Sequence, residues 1–352
     1  TPESAALPIF DDIDWLRTFV GEDMISFDMF GWDDEIGKYV LNAIVYLADD
    51  PRTKIINGVA QEHAEVTKLA ILPRHRRKII GITNASDLAL WTSPEIRQLE
   101  EQGQVTGQGL FDAGRESKKR LNLYLARTTG RVFEDLNRPL VGLVRRLVFY
   151  KEQRILFGIM EGIVGSRHKT FTLPWGLCNG LGANLLVGGV GRDDAGRAWV
   201  AGFKALVDTP EFKGKFIFVD GTGTQFMQLA TQGSDIWVSM PRSTREACGT
   251  SDQRALINIA TKTGGPMEYI QTGVNGWLMD VLADTGHSFE EVVLTLNRGG
   301  EPADNLISFI HRRLQMLLWQ SLTEAVDVYY AYADQGSSRW LDMMEAAYRI
   351  KH

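Results

Sequence analysis

Asp235-Ile-Trp-Val-Ser-Met-Pro241, followed by Glu246-Ala-Cys-Gly-Thr-Ser-Asp-Gln-Arg254, is the stretch that decides the fold class. The first part is an apolar run of strand length, and the second is rich in small residues. Beyond it, Leu256 to Ala260 reads as the end of a helix running into another short strand, which closes on Thr263-Gly-Gly-Pro266. A small-residue segment between two buried strands is where an α/β sheet holds a ligand, with backbone N–H groups free to meet an anion.

The same pattern extends toward the N-terminus. Pro139-Leu-Val-Gly-Leu-Val144, Ala183-Asn-Leu-Leu-Val187 and Lys215-Phe-Ile-Phe-Val219 are strand-like runs. Helical segments are expected between them at Tyr150 to Gly162, Trp199 to Leu206 and Met227 to Gln232. Strands alternating with helices predict βαβ units and a parallel sheet, with every post-strand loop at one edge. Residues 1 to about 130 read mainly as helix and loop, with apolar residues at helical spacing over Gly37 to Leu47 and a second helix over Val59 to Ala70. Ser93-Pro94 has the residues of an N-cap and first helical position. Asn305 to Tyr332 reads as a long helix broken at Gly336, with Ser337 or Ser338 opening a final one. The expected fold is α/β, a Rossmann-like sheet with flanking helices. Its expected divisions are a mainly helical segment (1–135), a sugar- or phosphate-binding domain (136–304) and C-terminal helices (305–352).

Composition narrows the function. The 352 residues carry a net charge of −6, which argues against a general nucleic-acid binder. Two cysteines, Cys178 and Cys248, make no disulfide framework and no CxxC metal pattern, so the expected compartment is the reducing cytoplasm. No apolar run reaches the roughly 18–20 residues of a membrane helix.

Four loops are candidates for the chemistry. Arg145-Arg146-Leu-Val-Phe-Tyr-Lys151 follows the first strand of the sheet and concentrates two guanidinium forks and an ammonium, a pattern suited to phosphate. Gly188-Gly189 closes the next strand, either to admit a ligand to the backbone or to make a tight turn. Asp220-Gly-Thr-Gly-Thr224 is an incomplete dinucleotide fingerprint in the wrong place. In the decisive stretch, Gly249, Thr250 and Ser251 are expected to open a helix, with Glu246 just before them as an acceptor for sugar hydroxyls. The basic turn Pro73 to Lys78 reads as a solvated connection, and His63 taken alone as a structural histidine.

With these loops in view, the chain resembles the glycogen and maltodextrin phosphorylases over about residues 50 to 350. Glu246 to Arg254 is similar to the family's EASGTxxMKxxxN, Ile56-Asn-Gly-Val-Ala-Gln-Glu-His63 to VNGVAxxH, Ile82-Thr-Asn84 to TNG, and Arg145 to Lys151 to its KRxxxYK run. The resemblance implies a GT-B type of fold with two Rossmann-like lobes. This sequence would hold the C-terminal lobe and the last helices of the N-terminal one. It further implies that Arg146 and Lys151 contact phosphate, and that Arg145 and Thr250 lie near the cofactor phosphate. Glu246, Cys248, Gly249, His63 and Asn84 would surround the glucosyl unit, and Gly188-Gly189 would match a GG turn.

The implied cofactor is pyridoxal phosphate, but Arg254 stands where the family has its Schiff-base lysine, and a guanidinium cannot replace that amine. Val190 and Thr222 likewise replace a lysine and a tyrosine of the family pattern. Two readings follow. One is a retaining, phosphorylase-like glycosyltransferase acting between a sugar phosphate and an α-glucan, with Arg146, Lys151, Glu246 and Arg254 at its centre. The other is a catalytically inactive sugar- or phosphate-binding or structural subunit. Either implies a homo-oligomer or a partner that supplies the missing lobe.

Overall fold

The computed structural model describes residues 9–10, 30–33, 38–41, 43–164 and 167–351. The expectation of helix and loop before residue 130 is only partly met. β1 (Ile9–Phe10), β2 (Phe30–Asp33) and β3 (Lys38–Leu41) form an antiparallel sheet in the order β1-β3-β2. The helical reading of Gly37 to Leu47 therefore fails over β3 and holds only for α1 (Ala43–Asp49). Tyr39 and Val40 suit a pleated strand, and pairing on both edges outweighs a short helical spacing.

A second small unit follows. β4 (Ile56–Gly58) and β5 (Ile79–Gly81) pair in parallel, joined through α2 (Gln61–Val66) and a π-helical turn, Thr67–Ile71. α3 (Pro94–Glu101) starts as the sequence predicts, with Ser93 Oγ accepting the N–H of Ile96 (3.2 Å). α4 (Gly107–Thr129) ends on Gly130 at φ 70°, a left-handed position that glycine takes without strain.

β6 (Leu140–Val144) opens the main sheet. The helix expected over Tyr150 to Gly162 is absent. Two short 3-10 turns, Phe149–Lys151 and Gln153–Phe157, lead instead into an antiparallel hairpin of β7 (Ile159–Val164) and β8 (Arg167–Thr172). Glu152 stands between the turns at φ 57°, which no right-handed helix accommodates. The remaining strands are β9 (Asn184–Gly189), β10 (Phe216–Asp220), β11 (Ile236–Ser239), β12 (Asn258–Thr261) and β13 (Gly276–Met279). All six pair in parallel in the order β10-β9-β6-β11-β12-β13, so the molecule is α/β with a sheet consistent with a Rossmann-like fold. β13 is one strand more than the sequence pattern predicts.

Both faces of the sheet are covered. Val141, Leu143, Leu185, Val187, Phe216 and Phe218 share one core with Phe203 of α5 (Asp194–Val207) and with Leu314 and Leu318, far along the chain. The alternate residues, Leu140, Val144, Leu186 and Ile217, pack on α4 through Leu121 and Leu125 and on α6 (Thr224–Gly233) through Phe226 and Ala230. Strands buried on both faces read as continuous apolar runs, which is why the sequence pattern found them. After the single turns α7 (Ser251–Arg254) and α8 (Pro266–Tyr269), the chain finishes in α9 (Phe289–Arg298), α10 (Gly300–Gln335) and α11 (Arg339–Lys351). α10 breaks at Gly336, φ 72°, as expected. Among the described residues no helix is long and apolar enough to cross a membrane.

Candidate functional site

Parallel pairing sends the loops after β6, β9, β10, β11 and β12 to one edge, and there the structure brings Arg145, Lys151 and Glu246 together. Lys151 Nζ and Arg145 Nη2 both approach Glu246 Oε2, the lysine in direct contact and the arginine at 3.7 Å. Arg145 and Lys151 are buried, and the Glu246 carboxylate is nearly so. Burial, together with the neighbouring Arg145, pushes the Lys151 amine down to about 8 against the pull of Glu246. Burial also lowers Arg145. Two of its donors, Nε and Nη1, are buried without an acceptor among the described residues.

The two adjacent arginines part company. Arg146 is exposed, and its Nη2 lies 3.4 Å from the Tyr150 hydroxyl. It is not among the groups gathered on Glu246. Gly249 is: a Cβ there would lie 4.0 Å from both Arg145 Nη2 and the Glu246 carboxyl carbon.

His63 lines the same cavity as Glu246, a space of about 220 Å³ that also touches Glu62, Ala247 and Leu296. Its Nδ1 accepts the N–H of Val59 (3.1 Å), so a neutral ring carries its proton on Nε2; burial lowers its pKa and favours that neutral form. Asn84 stands beside Cys248. Burial pushes the Cys248 thiol up, an effect the N–H groups of Asn84 and Gly265 oppose. The segment carrying His63 and Asn84 docks on these loops through Glu62, which accepts from Gly264 N–H and Thr263 Oγ1 (2.8 Å), and through Glu268, which accepts from Gln61 N–H (3.0 Å) and Thr83 Oγ1 (2.5 Å).

Gly188 and Gly189 serve close packing. A Cβ at Gly189 would meet the Arg145 carbonyl oxygen at 2.5 Å, and one at Gly188 would meet Phe226 at 2.7 Å. The helix expected just after Glu246 starts only at Ser251 and lasts one turn, so Glu246 stands in an irregular loop and little helix dipole reaches it. Arg254 turns away from Glu246. Its guanidinium carbon lies 3.7 Å from the centroid of the Trp91 ring, with Nη2 donating to Thr250 Oγ1 (2.8 Å) and Nε to Ser86 Oγ (3.3 Å).

Two networks beside the site are invisible in the sequence pattern. Glu152 takes Nε and Nη2 of Arg242 on one oxygen (2.9 and 2.7 Å), and Arg154 Nε (2.9 Å) and His311 Nδ1 (3.0 Å) on the other. Burial alone would raise its pKa, yet these partners hold the carboxyl at about 2. They pin the loop of Lys151 to the loop after β11 and to α10. Second, Asp252 is buried, with Tyr269 donating to one oxygen and no partner for the other among the described residues. Lys351 donates to the backbone carbonyls of Asp252 (3.1 Å), Ala255 and Leu256 (2.9 Å). A penultimate lysine carries no sequence signal of such a role.

No protein-family model matches the chain. It is 29% identical over 208 residues to an uncharacterized protein of Methanocaldococcus jannaschii, which covers 58% of this chain and 37% of that one. It is 23% identical over 269 residues to the maltodextrin phosphorylase of Thermococcus litoralis (64% of this chain, 31% of that one). It is 19% identical over 338 residues to the glycogen phosphorylase of Aquifex aeolicus (84% and 44%). The class these similarities support is a phosphorylase-like protein, related distantly and in part. The chain spans less than half the length of each of these relatives.

Proposed function

We propose that this chain binds a glucosyl phosphate in a phosphorylase-like site. Arg145 and Lys151 take the phosphate, Glu246 takes sugar hydroxyls, and His63, Asn84, Cys248 and Gly249 line the sugar. The observation that carries the reading is Arg145. A buried guanidinium with two unsatisfied donors, next to a buried lysine, is costly as it stands and is satisfied by an anion with several oxygens. The arriving phosphate would compete with Glu246 for Lys151 and release that carboxylate to the sugar.

The reaction this arrangement suits is transfer of a glucosyl unit from phosphate to the end of an α-glucan. The anomeric C–O bond to phosphate breaks, and the phosphate leaves with the electron pair beside Arg145 and Lys151. A glucan hydroxyl forms the new C–O bond and gives its proton to the phosphate. Partial similarity to phosphorylases of known name supports this class. We read the chain as the C-terminal lobe of a GT-B type enzyme, with its other wall supplied by further sequence or by a partner.

Pyridoxal phosphate, the cofactor implied by the resemblance, does not fit the residues present. Arg254 is stacked and bonded in place, and the cavity beside it measures about 50 Å³, against the roughly 300–1,000 Å³ of small-molecule sites. Lys351, whose side chain lines that cavity, is spent on backbone carbonyls. No step is therefore routed through that group. The fixed Arg254 favours a second reading, in which the site binds without turnover.

Titration calorimetry with glucose 1-phosphate, run beside phosphate release on a maltodextrin primer, tests both readings. Glucose 1-phosphate should bind, and Arg145→Gln should weaken it about tenfold or more, the loss of one charge-assisted pair. Primer-dependent release supports transfer, and binding without release supports the second reading. Failure to bind glucose 1-phosphate would sink both.

A further inference from the structure

Two residues before Glu246 the backbone is strained. Arg245 N–H donates to the Arg242 carbonyl (3.2 Å), closing a β-turn over Arg242 to Arg245. The third residue of the turn, Thr244, stands at φ 66°, while Ser243 before it is not in the positive-φ region. A turn of that pattern calls for glycine at its third position. Threonine is a poor occupant, because its branched Cβ crowds the backbone in the left-handed region.

Such a conformation persists only where the surroundings over-determine it, and here they do. Arg242 N–H donates to the Tyr150 carbonyl (2.7 Å), and its guanidinium is held on Glu152. Thr244 N–H donates to Thr263 Oγ1 (3.2 Å), and Arg245 Nη2 donates to the Leu296 carbonyl of α9 (3.0 Å). These anchors fix the backbone, and none of them uses the threonine side chain. The half-buried Thr244 has no hydrogen bond from its hydroxyl among the described residues. It lines the cavity of about 220 Å³ shared by Glu246 and His63, opposite an apolar wall of Val66, Ala70 and Leu296. Glu246 can only accept there, and the neutral His63 offers Nε2–H. Of these three side chains, only the Thr244 hydroxyl can donate and accept through one atom. A sugar ring has the matching chemistry, with apolar C–H faces and a rim of hydroxyls that both donate and accept.

We infer that Thr244 is a further sugar-contacting residue, its hydroxyl meeting a hydroxyl of the glucosyl ring beside Glu246, and that the strained turn is kept for this contact. The inference rests on the sugar seat proposed above and adds a residue to it. Glycine at this position would relax the turn and lose the hydroxyl, so ease of folding and grip on the sugar oppose each other here.

The test is titration calorimetry of the whole chain with glucose 1-phosphate and, separately, with inorganic phosphate, beside thermal unfolding. Thr244→Gly should raise the unfolding midpoint yet weaken glucose 1-phosphate about fivefold or more, the loss expected when a buried hydroxyl is left unpaired. Thr244→Val keeps the branched Cβ and the strain, so it should weaken glucose 1-phosphate to the same degree with no gain in midpoint. Thr244→Ser, which keeps the hydroxyl, should recover most of the affinity. Inorganic phosphate, which carries no sugar, should bind all these chains alike. Two results overturn the inference and leave the proposed function standing. In one, Thr244→Val binds glucose 1-phosphate as tightly as the unsubstituted chain. In the other, it loses inorganic phosphate to the same degree, which would make the turn a support for Arg145 and Lys151. An unsubstituted chain that binds glucose 1-phosphate no better than inorganic phosphate, or not at all, overturns the inference and the sugar seat together.

Discussion

Glu152 shows how much one side chain can do at a strained backbone position. It holds φ 57° because four charge-assisted hydrogen bonds from Arg242, Arg154 and His311 fix its carboxylate. Removing the charge by Glu152→Gln leaves Arg242 buried without its anion, at a cost of about 3–5 kcal/mol in urea unfolding. A loss below about 1 kcal/mol would mean that the network is not formed. The pH dependence has a definite sign. The folded carboxyl titrates near 2 and the unfolded one near 4.5, so the contribution is complete above pH 4.5 and vanishes as pH falls toward 2. At about 1.4 kcal/mol per unit this is roughly 3 kcal/mol, and Glu152→Gln should show a flatter acid limb. The arginine pair stood out in the sequence as a candidate anion site, and the resemblance gave the phosphate to Arg146, whereas in the structure it is Arg145 that is gathered on Glu246. Successive residues leaving a strand point to opposite sides, so one turns to Glu246 and the other to solvent.

At the scale of elements, the six parallel strands place the site, and the crowding between them dictates glycine at 189. Gly189→Ala would push a methyl group into the Arg145 carbonyl and Leu147. It should cost about 1–3 kcal/mol of stability by overpacking and also weaken glucose 1-phosphate binding, because the displaced backbone carries Arg145. Unchanged stability and affinity in Gly189→Ala would show that the loop after β6 yields freely. Five of the strands were legible because strands buried on both faces stand out as apolar runs. β13 was not, because Gly276-Trp-Leu-Met279 is short and begins on a glycine. The hairpin was misread as helix because an apolar run broken by charges fits either period until a partner strand exists.

The whole molecule is held by contacts between distant segments. Lys118 of α4 meets Asp235 at 2.5 Å, both buried, while also donating to the carbonyls of Leu136 (3.2 Å) and Arg138 (3.0 Å). Lys118→Met should therefore cost about 3–5 kcal/mol, since it strands a buried carboxylate. Unfolding should remain one transition, followed by tryptophan fluorescence and circular dichroism together. Two separated transitions would show that the expected division near residue 135 marks independently folding units.

Residue order alone determined the parallel sheet, the edge where its loops gather, the long C-terminal helix, and a distant, partial likeness to glucan phosphorylases. Those features rest on local apolar period and on loops that follow strands, which any fold of this pattern must share. Only the tertiary structure decided that Arg145 faces Glu246, that Arg254 is stacked on Trp91 away from it, and that Glu152 and Lys351 anchor the loops. These depend on which distant groups come within hydrogen-bond reach of a buried charge, a matter of three-dimensional packing that leaves no period in the sequence.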